Sequence, residues 1–463
     1  MTTKALAPVQ AIARAVHDAG GRAIIVGGEV RDRLLGADAG EDGGHDTDIE
    51  LFGLDEQAAT RVLSAFGRVI PVGRAFGVLR VAGLDIDFSL PRLDSRGHGV
   101  RGDLTRSNPE LDFADAARRR DLTINAMGFD PLTEELLDPF GGRDDLERGC
   151  LRAADTELFA EDPVRGLRVA RFAARFGMQA DDELKVLCSQ LDLSQVAPER
   201  LFDEWRKLLR QAKTPSLALR FLHDVGLLHA FPELHALIGV PQDARWHPEG
   251  DVWVHTLMVL DVASSLRLGD ATDDALMFAA LCHDLGKPAT TECEEDSGRI
   301  RSLAHERAGV AVTQAFLGAM RAPQELIRGV GALVLDHLAP AQFPSQGAGR
   351  AAYRRLARRL HDGGVSIALL ERLARADQWG RTTSEAQARV FDAGDLFLVC
   401  AAEFGVSDRA PLDAVQGRHL IARGHQPGPE FSSMLKRCRA LQDKSGLDDP
   451  HAILDRLGIV GPA

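Results

Sequence analysis

The chain has 463 residues, 45% of them hydrophobic, and its 55 basic against 68 acidic side chains give a formal net charge of −13. That length exceeds one compact core and sets an expectation of two to four domains, while the acidic balance argues against nonspecific coating of nucleic acid and leaves phosphate binding to local arginine clusters. No apolar run is long enough to span a bilayer and no N-terminal signal pattern is present, so a soluble, cytoplasmic protein without a membrane partner is expected.

An amphipathic helix is expected over Val9 to Ala19, packing on the first domain. The apolar run Ala23-Ile24-Ile25-Val26 predicts a buried strand, ended by Gly27-Gly28. Without Cβ atoms the backbone there can approach a ligand closely, and its amides suit a triphosphate. Val30 to Leu35 has the composition of a helical turn or two, which puts Arg31 near a helix N-terminus already suited to anions. A glycine-rich acidic segment, Gly36 to His45, leads into Asp46-Thr47-Asp48 and a strand-like Ile49-Glu50-Leu51-Phe52. Side chains alternate along a strand, so Asp46 and Asp48 share a face, where paired carboxylates can hold the divalent ions used in phosphoryl chemistry. Asp87 alternates likewise in Asp85-Ile86-Asp87-Phe88 and is a third candidate carboxylate. Each piece alone also fits an ordinary turn or solvated loop.

The next motif packs three cations, an acid, a hydroxyl and an amide into Arg118-Arg119-Arg120-Asp121-Leu122-Thr123-Ile124-Asn125. It reads either as a charged surface run with a helix cap or as part of a site. Glu161-Asp162-Pro163-Val164-Arg165 then opens a helix that repeats arginine at Arg168 and Arg171. Asp162 and Arg165 lie near one another on it. A carboxylate accepts from the exocyclic amine of cytosine or adenine and repels the carbonyl of uracil or guanine, and an arginine beside it can donate to the neighbouring ring acceptor.

In this order the motifs resemble the bacterial tRNA nucleotidyltransferases, the CCA-adding enzymes, of the superfamily that also holds bacterial poly(A) polymerases. The resemblance covers nearly the whole chain and implies a mixed head domain followed by helical neck, body and tail. It implies catalytic Mg²⁺ on Asp46 and Asp48. Gly27, Gly28, Arg31 and Arg120 would contact the nucleotide's phosphates or sugar, Asp121 and Asn125 its ribose side, and Asp162 and Arg165 would select CTP and ATP, with Arg168 and Arg171 as further nucleotide contacts. The partners implied are the acceptor arm of tRNA, CTP and ATP. Addition restricted to CC or to A, or poly(A) synthesis, would share the head; the segment from Arg92 to Asp112, where the family's mobile loop falls, does not separate these.

Further along, Trp246-His247-Pro248-Glu249, His255, His283-Asp284-Leu285-Gly286-Lys287 and Asp377 form a spaced series. It resembles the HD-domain phosphohydrolases. His283 and Asp284 end an apolar helix and can reach one metal, with His255 and Asp377 completing a nitrogen and oxygen set for a divalent transition metal or Mg²⁺. His305 and His337 match places where HD proteins with a second metal carry histidines. The resemblance implies phosphatase and 2′,3′-cyclic phosphodiesterase activity; an HD phosphohydrolase with an inert head is the alternative.

Arg350 to Arg359 reads equally as a positive strip or as a solvated helix face, and Gly424 to Phe431 as a turn before a last helical pair. The six cysteines are scattered without a CxxC pair and read as reduced thiols. The expected fold class is α+β, a nucleotidyltransferase head with a small mixed sheet over 1–150, then helical neck (151–239), HD body (240–390) and tail (391–463).

Overall fold

The structure is a computed structural model and describes residues 3–36, 47–72, 78–91 and 108–460. Asp46, the acidic segment before it and most of the stretch after Arg92 lie outside the described residues. The chain forms two compact units, 1–230 and 231–463.

Unit 1 opens with the helix Thr3–Asp18, which buries Val9, Ile12, Ala13 and Val16. Those residues recur at helical spacing, and the stripe they make packs on the first strand. Seven strands form one mixed sheet: β1 (Arg22–Val26), β2 (Thr47–Phe52), β3 (Val69–Val72), β4 (Val78–Val81), β5 (Ile86–Ser89), β6 (Gly128–Phe129) and β7 (Leu136–Leu137), in the order β3-β4-β5-β2-β1-β6-β7. β2 and β5 run parallel, and the other described pairs are antiparallel. Ile24, Ile25, Ile49, Leu51 and Phe88 lie buried in it.

The sheet positions the glycine turn and the carboxylates. Gly27 leaves β1 at φ 76°, a left-handed value that favours glycine, and the short helix Gly28–Leu34 starts at once. A side chain at Gly27 would also meet the Arg120 guanidinium at 3.0 Å. Asp48 pairs in register with Asp87 across β2 and β5, so the two share one face of the sheet. After the sheet the unit is helical apart from the short parallel pair β8 (Cys150–Leu151) and β9 (Gln179–Ala180). The arginine helix Arg165–Phe176 packs on the helices Pro198–Gln211 and Pro215–Asp224, each opened by a proline in its first turn.

Unit 2 is helical except for one hairpin, β10 (Thr291–Cys293) with β11 (Ile300–Ser302), among its described residues. The helix Thr272–Cys282 is buried from Leu276 to Cys282, an apolar rod around which Val252–Ser265, Gln324–Asp336 and Ile367–Trp379 pack. The helix Arg350–Asp362 is neither a free positive strip nor a solvated face. It buries Tyr353, Arg354, Leu356 and Leu360. Arg354 donates to the Gln442 carbonyl, Arg358 bridges Asp413 and Asp443, and Arg359 pairs with Asp336, so much of that charge is spent inside the unit. The last helices, Gly417–Ala422, Pro429–Ser445 and Pro450–Arg456, close a small core around Leu420, Ile453 and Leu454.

Candidate active sites

A cleft of about 600 Å³ opens in unit 1 at the glycine turn. Gly27, Gly28, Arg31, Asp48, Arg120, Asp121, Asn125, Asp162, Arg165, Arg168 and Arg171 all line it, so the structure brings together every described residue that the sequence assigns to nucleotide binding. Eight cationic side chains against five acidic ones make it locally positive in an acidic chain. Such a cleft favours a polyanion.

The cations are held by a relay of acids. Arg31 is buried, its guanidinium stacked against Phe172 and Phe176 at 5.1 and 4.8 Å. It donates to Asp32 at 2.8 Å and to Asn125 Oδ1 at 2.6 Å. Burial brings it down to about 10 against the pull of Asp32. Asn125 in turn donates to Asp121 Oδ1 at 3.0 Å, and Arg168 donates to the other Asp121 oxygen at 2.7 Å. Burial alone would raise the Asp121 carboxyl; Arg168 and the hydrogen bonds from Arg168 and Asn125 overcome it and hold the group well below the usual carboxylate range. Glu204 takes Arg171 at 3.0 Å and lies 3.7 Å from Arg168. The Arg118 to Asn125 segment and the arginine helix are therefore joined in one hydrogen-bonded frame.

The side chains of Asp162 and Arg165 make their hydrogen bonds to other groups. Arg165 donates to the carbonyls of Leu158 and Arg119 at 2.7 and 2.6 Å. Asp162 accepts Arg200 at 2.7 Å and the Val164 amide at 3.3 Å. Both side chains still line the cleft. Arg200, Glu204 and Lys207 escaped the sequence reading; they fall on one face of the helix opened by Pro198, a signal its periodicity carries. Across β5, both Asp87 oxygens accept from Arg80, one of them at 2.9 Å.

In unit 2 the histidine and aspartate series converges into two adjoining triads. In each, the ligand atoms lie within 4.8 Å of one another: His255, His283 and Asp377, and Asp284, His305 and His337; His247, Glu249 and His255 make a third such group beside the first. His283 Nδ1 faces the Ala280 carbonyl, His305 Nδ1 that of Ser302 and His337 Nδ1 that of Val334, at 2.9, 2.8 and 2.7 Å. A carbonyl can only accept, so each Nδ1 carries a proton, and in the neutral ring Nε2 presents a lone pair inward. His305 Nε2 and His337 Nε2 then face one another at 3.3 Å, lone pair against lone pair. Buried Asp284 Oδ1 and His283 Nε2 make no hydrogen bond. That donor set fits a divalent cation. Burial opposes charge on Asp284 and Asp377, but His283 and Lys287 around the first, and Arg381 and His255 around the second, hold both carboxyls well below their usual range. Burial, then His283 and His305, push His337 down to about 3, a neutral nitrogen ligand at neutral pH.

Known proteins match most of this chain. Residues 23–152 match the poly A polymerase head domain, 187–238 the probable RNA and SrmB- binding site of polymerase A, and 252–376 the HD domain. The multifunctional CCA protein of Xanthomonas campestris pv. campestris (strain B100) is 37% identical over 427 residues, covering 90% of this chain and 96% of that one. The chain belongs to the multifunctional CCA protein family. Within this family, the protein of Methylococcus capsulatus is 40% identical over 66% of the chain and 69% of its own length. The fold agrees: the Bacillus stearothermophilus CCA-adding enzyme in complex with CTP aligns over 99% of both chains with a TM-score of 0.69 at 21% identity. The Thermotoga maritima CCA-adding enzyme complexed with tRNA aligns over 99% of this chain and 96% of that one, with a TM-score of 0.58 at 18% identity. The family is one of tRNA nucleotidyltransferases with an HD domain, and its two domain types use divalent metals. No helix among the described residues is long and apolar enough to cross a membrane.

Proposed function

We propose that the cleft of unit 1 adds C, C and A to the 3′ end of tRNA from CTP and ATP in the cytoplasm, and that unit 2 hydrolyses phosphate esters, 2′,3′-cyclic phosphates among them. The observation that carries the first half is the positive cleft that holds the glycine turn, Asp48 and the Asp162 and Arg165 pair together. Asp46 and Asp48 would hold Mg²⁺, with Asp87 as a third carboxylate kept in place by Arg80. Bound there, the ion supplies charge stabilisation for the attacking and leaving oxygens.

The chain's own groups bind and orient. Backbone amides at Gly27 and Gly28 and the guanidinium of Arg120 take the triphosphate. Asp121 and Asn125, locked by Arg31 and Arg168, present a fixed edge to the ribose. Asp162, steadied by Arg200, accepts from the amine of C or A, and Arg165 donates to the ring acceptor beside it. The helical neck, 151–239, receives the acceptor arm, ahead of the HD body (240–390) and tail (391–463).

In unit 2, His255, His283, Asp284 and Asp377, with His305 and His337, would hold one or two divalent ions, Mg²⁺ or a transition metal, which supply an activated water. The buried acids and the backbone carbonyls behind His283, His305 and His337 keep the donors in place, and Lys287, 2.8 Å from Asp284, sets a cation beside them.

The test offers purified protein with tRNA lacking CCA, tRNA lacking only the last A, and an unrelated RNA, each with single labelled nucleotides. Sequential C, C and A on tRNA alone is expected. Long A tails on the unrelated RNA would replace the reading with a poly(A) polymerase, and no addition to any tRNA would end it.

A further inference from the structure

One buried acid beside the unit 2 centre lies outside the stretch that matches the HD domain, which begins at residue 252. The Glu249 side chain is 1% exposed. Its Oε1 accepts His247 Nδ1 at 2.9 Å, and its Oε2 accepts the Thr382 amide at 3.2 Å. The same Oε1 stands 2.8 Å from His255 Nδ1, within ion-pair distance but without the geometry of a hydrogen bond.

His255 is the odd member of its set. The other three histidines turn Nδ1 to a backbone carbonyl three residues before them. His255 instead sits between two carboxylates, Glu249 at Nδ1 and Asp377 Oδ1 at 3.0 Å from Nε2. A neutral imidazole has one ring proton, so one of these contacts must set lone pair against lone pair. A second ring proton would satisfy both carboxylates; a metal cation taken up by Nε2 and Asp377 does so with a single proton, which then belongs on Nδ1, facing Glu249.

We propose that Glu249 is a positioning residue of the unit 2 metal centre, fixing His255 with its proton on Nδ1 so that Nε2 remains a ligand. The inference rests on the reading of these triads as a metal site. Through Thr382 the same carboxylate ties the His255 helix to the turn that follows the Asp377 helix. Carboxylates behind ligating histidines set ring orientation and basicity, and their loss typically costs 10- to 100-fold in metal affinity.

Calorimetric titration of Mn²⁺ into full-length wild type, Asp284→Ala and Glu249→Gln proteins tests it. The binding component that Asp284→Ala removes reports the unit 2 centre. If no such component exists, the metal reading fails and the role of Glu249 fails with it. If it exists, Glu249→Gln is expected to weaken it by about 10- to 100-fold with the number of sites unchanged. An unchanged affinity overturns the role of Glu249 and leaves the metal reading standing. Should the glutamine variant not fold, imidazole ¹⁵N spectra of Zn²⁺-loaded wild type decide the point. His255 protonated at Nδ1 is expected; His255 bound to metal through Nδ1, or protonated at Nε2, overturns the proposal.

Discussion

The two sites solve opposite problems with separate sets of charged side chains. In unit 1 the charges surround an open volume of about 600 Å³, and the buried cations are held by acids at Arg31 and Arg171 and by backbone carbonyls at Arg165, leaving room and residual positive potential for a large anion. In unit 2 the donors point at one another from closely packed helices and leave a space suited to small ions. A cleft can tolerate a shifted arginine, since a flexible ligand adapts; a ligand cluster cannot, since metal coordination fixes distances to within a few tenths of an ångström.

Cross-inactivation gives the largest effect. Asp48→Ala is expected to lower nucleotide addition by about 10³-fold or more, the rate equivalent of several kcal/mol of lost charge stabilisation, while cyclic phosphodiesterase activity persists. Asp284→Ala should do the reverse. Parallel assays of both activities check this, and loss of both in either variant would show that the sites are not independent.

Next comes the charge frame. Glu204→Ala leaves Arg171, itself 5% exposed, without its acid, and breaking such a buried pair costs about 3–5 kcal/mol. Calorimetry should show the unit 1 transition falling by about 10 °C. A transition that stays in place would mean that solvent or Gln211 suffices for Arg171.

A smaller loss is expected in the histidine and aspartate cluster of unit 2. A Cβ at Gly286 would lie 2.0 Å from the His305 carbonyl oxygen and 2.5 Å from the Gly309 nitrogen. Gly286→Ala should therefore displace the start of the His305 helix, at a cost of about 1–3 kcal/mol, and depress hydrolysis far more than nucleotide addition. Equal loss of both activities would contradict the contrast drawn between a tolerant cleft and a strict cluster.

The frame also has an acid limit. Asp121 has a folded pKa below its unfolded value, so its contribution to stability is full above about pH 4 and is lost as pH falls further. Asp121→Asn should flatten that limb of the unit 1 unfolding profile, and an unaltered slope below about pH 4 would locate the acid sensitivity elsewhere. The smallest effect on stability belongs to Arg200→Ala. Its pair with Asp162 is half exposed and worth less than about 1 kcal/mol, yet competition between CTP and ATP should shift several-fold as Asp162 loses its support. Unchanged selection would free base choice from Arg200.

Much of this was legible along the chain. The Ala23 run, the glycine turn and the alternation around Asp48 are local, and β1, the helix Gly28–Leu34 and β2 form where those patterns predict them. The His283-Asp284 pair ends an apolar helix as its spacing implies. What escaped was partnership. Asp162 pairs with Arg200, 38 positions away, and not with the arginine one turn along its own segment. The Arg350 to Arg359 segment looked like surface because its acids, Asp413 and Asp443, arrive from elsewhere in the chain.

The sequence by itself determined which elements form and which chemical groups they carry, because strand and helix periodicity and the identity of aspartate, histidine and arginine are properties of short stretches. The tertiary structure alone decided which groups are spent on holding others and which face a ligand. Arg31 is bound to Asn125 from 94 positions off, and Glu249 joins His255 to the turn beyond Asp377. The physical reason is that a charge's partner is set by which helices pack together, and burial then decides whether that charge is a binding group or a strut.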